Sequence, residues 1–432
     1  MSSDNLSGIN VSDFVSIVGE NAAFTWDDAE ISNQIHIQRG IITDNLPNCV
    51  VYPQTQRQLA STIKLAHSNH WRVLVCGSGS KLDWGGLSTK VDLLISTERL
   101  NTLVEHAVGD LTVTVEAGMK FAQLQELIAV SNQFLPIDPT VPNSATIGGI
   151  IATGDNGSLR QRYGSVRDQV LGITFVRSDG EITKAGGRVV KNVAGYDLMK
   201  LFTGSYGSLG IITQATLRLY PKQEASGTVV LVGNMDAIAS SANVLRGSAL
   251  TPTQADIIST QVVANLGLGK GLGLIVRFQS IPESVTEQSK RLLEVGEKLG
   301  LQGTTYSHDE GKLWGRLQQQ MQPNQNDTQI TCKIGVSPTA AVEILSQVEV
   351  GLVHIGSGLG ILHLENSSRI ESTRSLCEQN GGFLTILTAP MEVKEKFDVW
   401  GYKGNALGMM QRIKRQFDPT NILNPGKFVG GI

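Results

Sequence analysis

The stretch 146-TIGGIIATGDNGSLRQRYGSVRDQVLGITFVRSDGEITKAGGRVVKNVAGYDLMKLFTGSYGSLGIIT-213 decides how this chain is read. It holds 13 glycines in 68 residues, against 47 in 432 for the whole chain; the ordinary frequency is roughly 7%. A flexible linker would pair its glycines with serine. Here apolar runs at Ile147, Ile150 and Ile151, at 170–176 and at 209–212 interrupt them and require a core. Glycines inside folded structure mark positive φ or a backbone that something approaches closely. Eight Lys and Arg against five Asp and Glu, in a chain of net charge −3, add a local positive bias. The combination suits a buried anionic ligand.

Upstream, 50–53 reads as a short strand. Thr55-Gln56-Arg57-Gln58 has capping-box spacing before Leu59, Ile63 and Ala66, which predicts a helix over 56–69. A buried strand over 72–76 then runs into Gly77-Ser78-Gly79-Ser80-Lys81, so the order is βαβ-like. Successive amides of a tight loop after a strand can form a nest for a phosphate; a plain turn is the alternative. A dinucleotide fingerprint would need glycine where Leu82 stands, and no Walker spacing occurs. Thr146-Ile147-Gly148-Gly149 sits where a helix can begin. Its amides either serve the same anion from another side or the glycines are helix contact points.

Strands are predicted over 91–96, 103–107, 111–116 and 215–220, with a helix over 121–130 and a domain end at Pro221-Lys222. Beyond that, helices (235–245, 282–299, 338–348, 367–379) alternate with strands (229–232, 272–278, 328–335, 351–355, 383–387), as in a second α+β domain. A helix over 406–417 precedes a tail rich in turn residues that should pack back on the protein. Residues 1–46 read as a loosely packed lead-in with one helix at 11–18.

Lys and Arg number 36 against 39 Asp and Glu, with no basic run, which argues against a nucleic-acid partner. The four cysteines lie far apart without metal-finger spacing and read as reduced cytoplasmic thiols. No export signal and no apolar run of membrane-spanning length is visible. No G-x-S-x-G supports hydrolysis. His354 and His363 flank a glycine cluster with Glu365 as the only nearby acid, so no metal site is expected there.

At 77–81 together with 146–213 the sequence resembles the FAD-binding domain of the p-cresol methylhydroxylase and vanillyl-alcohol oxidase superfamily. RYGSVRDQVLG (162–172), DGEITKAGGRVVKNVAGYDLMKLFTGSYGSLGIIT (179–213) and FDPTNILNPGKF (417–428) look like the FAD-binding E subunit family of bacterial glycolate oxidase, also called glycolate dehydrogenase. The resemblance implies an α+β protein. A p-cresol methylhydroxylase-type domain of two α/β subdomains (47–222) is followed by a smaller α+β cap domain (223–390) and a C-terminal segment (391–432) returning to the flavin.

It also implies that Gly77, Ser78, Gly79, Ser80 and Lys81 hold the FAD pyrophosphate, flanked by Thr146, Gly148 and Gly149. Ile212 would meet the adenine end, Asp138, Gly154, Tyr163 and Gly164 would line the flavin, and Asn424 and Lys427 would reach back to the ring. Ser80 and Lys81 stand where covalent members carry a linking histidine, so non-covalent FAD is implied. The implied partners are glycolate or a related 2-hydroxy acid, a flavin-containing D-type subunit and an iron–sulfur F-type subunit. The setting is cytoplasmic glycolate metabolism, peripheral to a membrane through the complex. The family's catalytic members carry H-x-G-D-G-N-x-H. Here His354, Gly356 and Gly358 match, but Ser357, Leu359 and Ile361 replace the polar set that would supply base and metal. His354 remains the catalytic candidate. A free-standing D-2-hydroxyacid dehydrogenase of the D-lactate type and a flavin-free scaffold are the rival readings.

Overall fold

The structure, a computed structural model, describes residues 8–31, 33–42, 46–187, 196–323 and 329–432. The RVVKNVAG portion of the glycine-rich stretch (188–195) and the expected strand start at Thr328 lie outside the described residues. Among them no helix is long and apolar enough to cross a membrane.

The first sheet contains β1 (Ala23–Thr25), β2 (Cys49–Val51), β3 (Val73–Cys76) and β4 (Leu93–Ser96) in the order β1-β2-β4-β3. β2, β4 and β3 run parallel, as a βαβ unit requires, and β1 pairs antiparallel with β2. The crossover helix Gln56–Ser68 begins on Thr55, whose side chain accepts from the Gln58 amide at 3.1 Å. The Gln58 side chain reaches one residue further upstream than a reciprocal box would, accepting from the Gln54 amide at 2.8 Å.

The lead-in is not loose. Phe14, Ile37 and Ile41 are fully buried in the core under this sheet, and β1 is one of its strands. The segment's low hydrophobic density concealed three anchor residues spaced too widely to form a periodic signal.

The second sheet is antiparallel, with β5 (Leu103–Ala107), β6 (Thr112–Glu116), β8 (Val170–Val176), β9 (Ile182–Gly186) and β10 (Ile211–Arg218) in the order β5-β6-β10-β8-β9. A short ribbon of β7 (Gln133–Phe134) and β11 (Tyr220–Pro221) closes its end. Leu124 and Ile128 of helix Phe121–Ala129, and Ile150 and Ile151 of helix Ile147–Thr153, share its core with Phe175 and Phe202.

The third sheet has eight strands, every pairing antiparallel: β12 (Ala225–Gly233), β13 (Gln254–Ile258), β14 (Leu272–Ser280), β15 (Gln302–Tyr306), β16 (Ile330–Gly335), β17 (Val350–His354), β18 (Leu359–Leu364) and β19 (Phe383–Thr388). Their order is β15-β12-β14-β13-β17-β18-β16-β19. Helices Met235–Gly247, Pro282–Lys298, Ala341–Ser346 and Arg369–Gln379 pack into one core. Thr260–Leu266 and Glu310–Gln320 form another with Leu313, Trp314 and Leu317. These last two helices, with β13 and β15, went unread in the sequence.

The tail packs back as expected. The Val73 amide donates to the Ile422 carbonyl at 2.7 Å, and the Asn424 amide donates to the Val73 carbonyl at 2.9 Å, so the tail lies beside β3. Its turn is built on a buried ion pair. Lys414 Nζ donates to Asp418 Oδ2 at 2.7 Å and to the Ser208 and Leu423 carbonyls at 2.9 Å each. Asp418 in turn accepts from the Ile422 and Leu423 amides. Lys414→Met would strand the carboxylate, and losing one partner of a buried pair costs about 3–5 kcal/mol. A matching fall in the urea unfolding free energy of the variant is expected; a loss near zero would mean the tail is not part of the cooperative fold.

Candidate functional site

β3 ends at Cys76, and the chain turns at once through Gly77-Ser78-Gly79-Ser80-Lys81 into an open cleft of about 790 Å³. Among the described residues, the backbone amides of these five residues donate to no protein acceptor. Buried or half-buried amides without partners are rare, and a row of them is a ready cradle for an anion. Glycine is required at two points. A side chain at Gly77 would collide with Thr146 Oγ1, and Gly79 has φ +79° with Ile37 packed 3.0 Å from where a Cβ would sit. Ser78 Oγ ties the loop to the Ser144 carbonyl at 2.5 Å.

The cleft's far wall comes from the organising stretch. Thr146, Gly148, Gly149 and Ile212 line it, with Asn424 and Lys427 from the tail. Thr146 caps the helix by accepting from the Gly149 amide at 3.3 Å. The Gly148 amide is already spent on the Ala117 carbonyl at 2.8 Å, so these two glycines do not supply a second set of free donors. They serve by lacking side chains: a Cβ at Gly148 would lie 2.8 Å from Ala117 Cβ. Asn424 is positioned from both sides, its Oδ1 accepting from the Val75 amide at 2.8 Å and its Nδ2 donating to the Tyr206 carbonyl at 2.7 Å. Tyr206 and Gly207 also line the cleft and were not singled out in the sequence, although the GSYGSLG run carried them.

Four expected residues do not line it. Tyr163 packs edge-on against Phe134 and Tyr220, and Gly164 ends the short helix Arg160–Tyr163 against Asp168. Gly154 packs on Gly204. Asp138 accepts from the Gly157 and Leu159 amides at 3.0 Å each and faces Gln254 of β13. Sequence adjacency to the glycine-rich stretch misplaced them, because the chain between 154 and 164 turns away from the cleft toward the third sheet.

That turn builds a second space. A small, tight chamber is lined by Asp155, Asn156, Arg160, Lys333 and His354, with Leu359, Ile361 and Leu387 as its apolar side and Trp84 at its border. His354 Nδ1 lies 2.6 Å from Asp256 Oδ1, and Ser158 Oγ donates to the other oxygen of the same carboxylate. Burial pulls the His354 pKa down, but the charge and hydrogen bond of Asp256 outweigh it and leave it raised. Burial lowers Lys333, with Asp155 pulling the other way. Burial also pushes the Asp138 carboxyl up to about 7, against the amide hydrogen bond from Leu159. The chamber thus sets basic side chains and the Asp155 carboxylate beside an apolar side. Among the described residues there is no group of three or more His, Cys, Asp or Glu able to hold a metal ion. His363, the other histidine of the cluster, is tied to Thr331 and the Gln320 carbonyl and lowered by burial to about 4.

Residues 47–186 match the family described as FAD binding domain, and residues 394–428 match FAD linked oxidases, C-terminal domain. The chain is similar to glycolate oxidase subunit GlcD of Bacillus subtilis, 26% identical over 89% of each chain. It is also similar to a D-lactate dehydrogenase of Archaeoglobus fulgidus, 26% identical over 88% of this chain and 91% of the relative. A D-2-hydroxyglutarate dehydrogenase of Stutzerimonas stutzeri is 24% identical over 88% and 90%. Among solved structures, p-cresol methylhydroxylase with substrate bound superposes with a TM-score of 0.73 at 17% identity, covering 96% of this chain and 95% of that one, which shows the fold.

Asp138 and His354 are both raised above their ordinary values of 3.8 and 6.5. Groups raised in this way stabilise the fold below their unfolded values and lose that contribution as pH rises through the folded ones. Tm should therefore fall as pH rises from about 4 to about 7, the span over which Asp138 loses its contribution, and Asp138→Asn should flatten the slope. An unchanged slope in the variant would assign the titration to other groups.

Proposed function

The chain is an FAD-linked oxidoreductase with a p-cresol methylhydroxylase-type FAD-binding domain, and from that premise we propose that it is the FAD-binding subunit of a glycolate dehydrogenase complex. In this reading it oxidises glycolate to glyoxylate in the cytoplasm, with residues 47–222 as cofactor domain and 223–390 as cap. A D-type flavin subunit and an iron–sulfur F-type subunit take the electrons. The observation that carries it is the row of five unpartnered amides at 77–81 facing the cleft. A pyrophosphate would satisfy them at a single stroke. FAD, once bound, supplies the two-electron acceptor. Ser80 and Lys81 offer no linking imidazole, so the attachment is non-covalent.

The named relatives act on glycolate, D-lactate and D-2-hydroxyglutarate, which share a hydroxyl beside a carboxylate. In the chamber, Arg160 and His354 would hold the carboxylate. Lys333, lowered by burial, would accept the hydroxyl proton as the hydrogen at C2 departs toward the cofactor. Asp256 acts behind His354, fixing its ring and its charge. Ser357, Leu359 and Ile361 leave this chamber without the metal that could polarise the substrate, which favours a subunit that depends on partners for turnover.

Three measurements check the reading. Gly79→Ala forces a side chain onto a positive-φ residue against Ile37, and should abolish flavin binding with the circular dichroism spectrum unchanged. Acid precipitation should leave the yellow colour in the supernatant; colour in the pellet would mean a covalent link. Glycolate-dependent dye reduction by the isolated chain should be less than about a tenth of the rate with the other subunits present, a loss of the order seen when an oriented catalytic group is missing. Equal rates would overturn the complex.

A further inference from the structure

Trp84 borders three spaces at once: the cofactor cleft, the chamber holding Lys333 and His354, and a recess of about 750 Å³ between Asn143 and Pro323. It is 4% exposed. The ammonium of Lys81 lies 5.4 Å from its ring centroid, within the range of a cation–π contact. That ammonium is itself anchored, 3.0 Å from Asp155 Oδ2, and Asp155 accepts from the Thr140 amide and hydroxyl at 3.0 and 2.8 Å. One face of the ring is therefore fixed by a charge that is fixed in turn.

The backbone under Trp84 is held more firmly still. Lys427 Nζ donates to the Leu82 carbonyl at 2.6 Å and to the Gly86 carbonyl at 2.9 Å. Lys394 Nζ donates to the carbonyl of Asp83 and to that of Gly85 at 3.1 Å. The carbonyls on both sides of Trp84 thus end on two buried ammonium groups, and swinging the residue aside would leave those charges without partners. A lid needs freedom that this loop does not have. The branched side chains of Leu359, Ile361 and Leu387 line the same chamber as Trp84.

We propose that Trp84 is the specificity-determining wall of the substrate chamber, admitting a 2-hydroxy acid with no side chain at C2 and excluding those that carry one. Once the carboxylate is held at Arg160 and His354, a substituent at C2 must point toward the indole or toward the branched wall, and neither side has room to yield. The inference rests on the chamber being the 2-hydroxy-acid site, so the test reads binding rather than turnover.

The flavin-loaded chain is reduced with dithionite, so that hydroxy acids bind without reacting, and affinities for glycolate, D-lactate and D-2-hydroxybutyrate are measured by calorimetry. One methylene in a tight pocket is worth about 10- to 200-fold, so wild type should bind glycolate at least about 10-fold tighter than D-2-hydroxybutyrate. Trp84→Ala should bring the two affinities together, with Trp84→Phe between. Equal affinities in wild type overturn the proposal, as does an unchanged preference in folded Trp84→Ala. If the alanine variant does not fold, the wild-type series and Trp84→Phe decide. Binding of no hydroxy acid at all by wild type removes the chamber as substrate site and this proposal with it, whereas binding without size preference removes this proposal alone.

Discussion

Two buried ammonium groups hold this structure at its most demanding point. The five amides at 77–81 have no protein acceptor among the described residues, and beyond the turn bonds from the Leu82 amide to Gly79 and from the Trp84 amide to Lys81 the loop takes its shape from its surroundings. Lys394 and Lys427, both from the C-terminal segment, supply it by taking the carbonyls of Leu82, Asp83, Gly85 and Gly86. Burial drags both lysines down, Lys394 to about 8 and Lys427 well below the ordinary lysine range. Carbonyl oxygens surround each lysine head, and each head in turn ties down the backbone that follows the glycine loop.

The contact between the second and third sheets works on related terms. Asp138 and Ser158 from one side meet Gln254, Asp256 and His354 from the other, so the turn after the helix Ile147–Thr153 docks on β13 and β17 through a buried polar network rather than an apolar seam. Networks of this sort specify a single geometry because each misplacement leaves a polar group unsatisfied. That suits a chamber whose basic side chains come from both sides: Arg160 from the short helix Arg160–Tyr163, Lys333 from β16 and His354 from β17.

Most of the fold could be read from periodicity and punctuation. The helix after Thr55, the strand into Gly77 and the returning tail all carried local signals, and the glycine loop's role followed from its place after a strand. What escaped was long-range. The antiparallel β1 gave no pattern because its partner residues lie 24 or more positions away. Gly154, Tyr163 and Gly164 were misplaced because proximity in sequence says nothing about which way a turn faces. Gly148 and Gly149 were placed on the right wall for a partly wrong reason, since the Ala117 carbonyl takes the Gly148 amide. Lys333 and Arg160 carried no local signal, and the fold brings them to one chamber.

The route of the tail bears on how the protein is made. The cleft's walls are drawn from residues 75 to 427, and the tail that lies beside β3 is synthesised after the entire third sheet. The glycine loop must therefore wait for Lys394 and Lys427 until that sheet has been made. The amino-terminal half on its own would be an unfinished vessel, its cleft short of the wall that Asn424 and Lys427 supply.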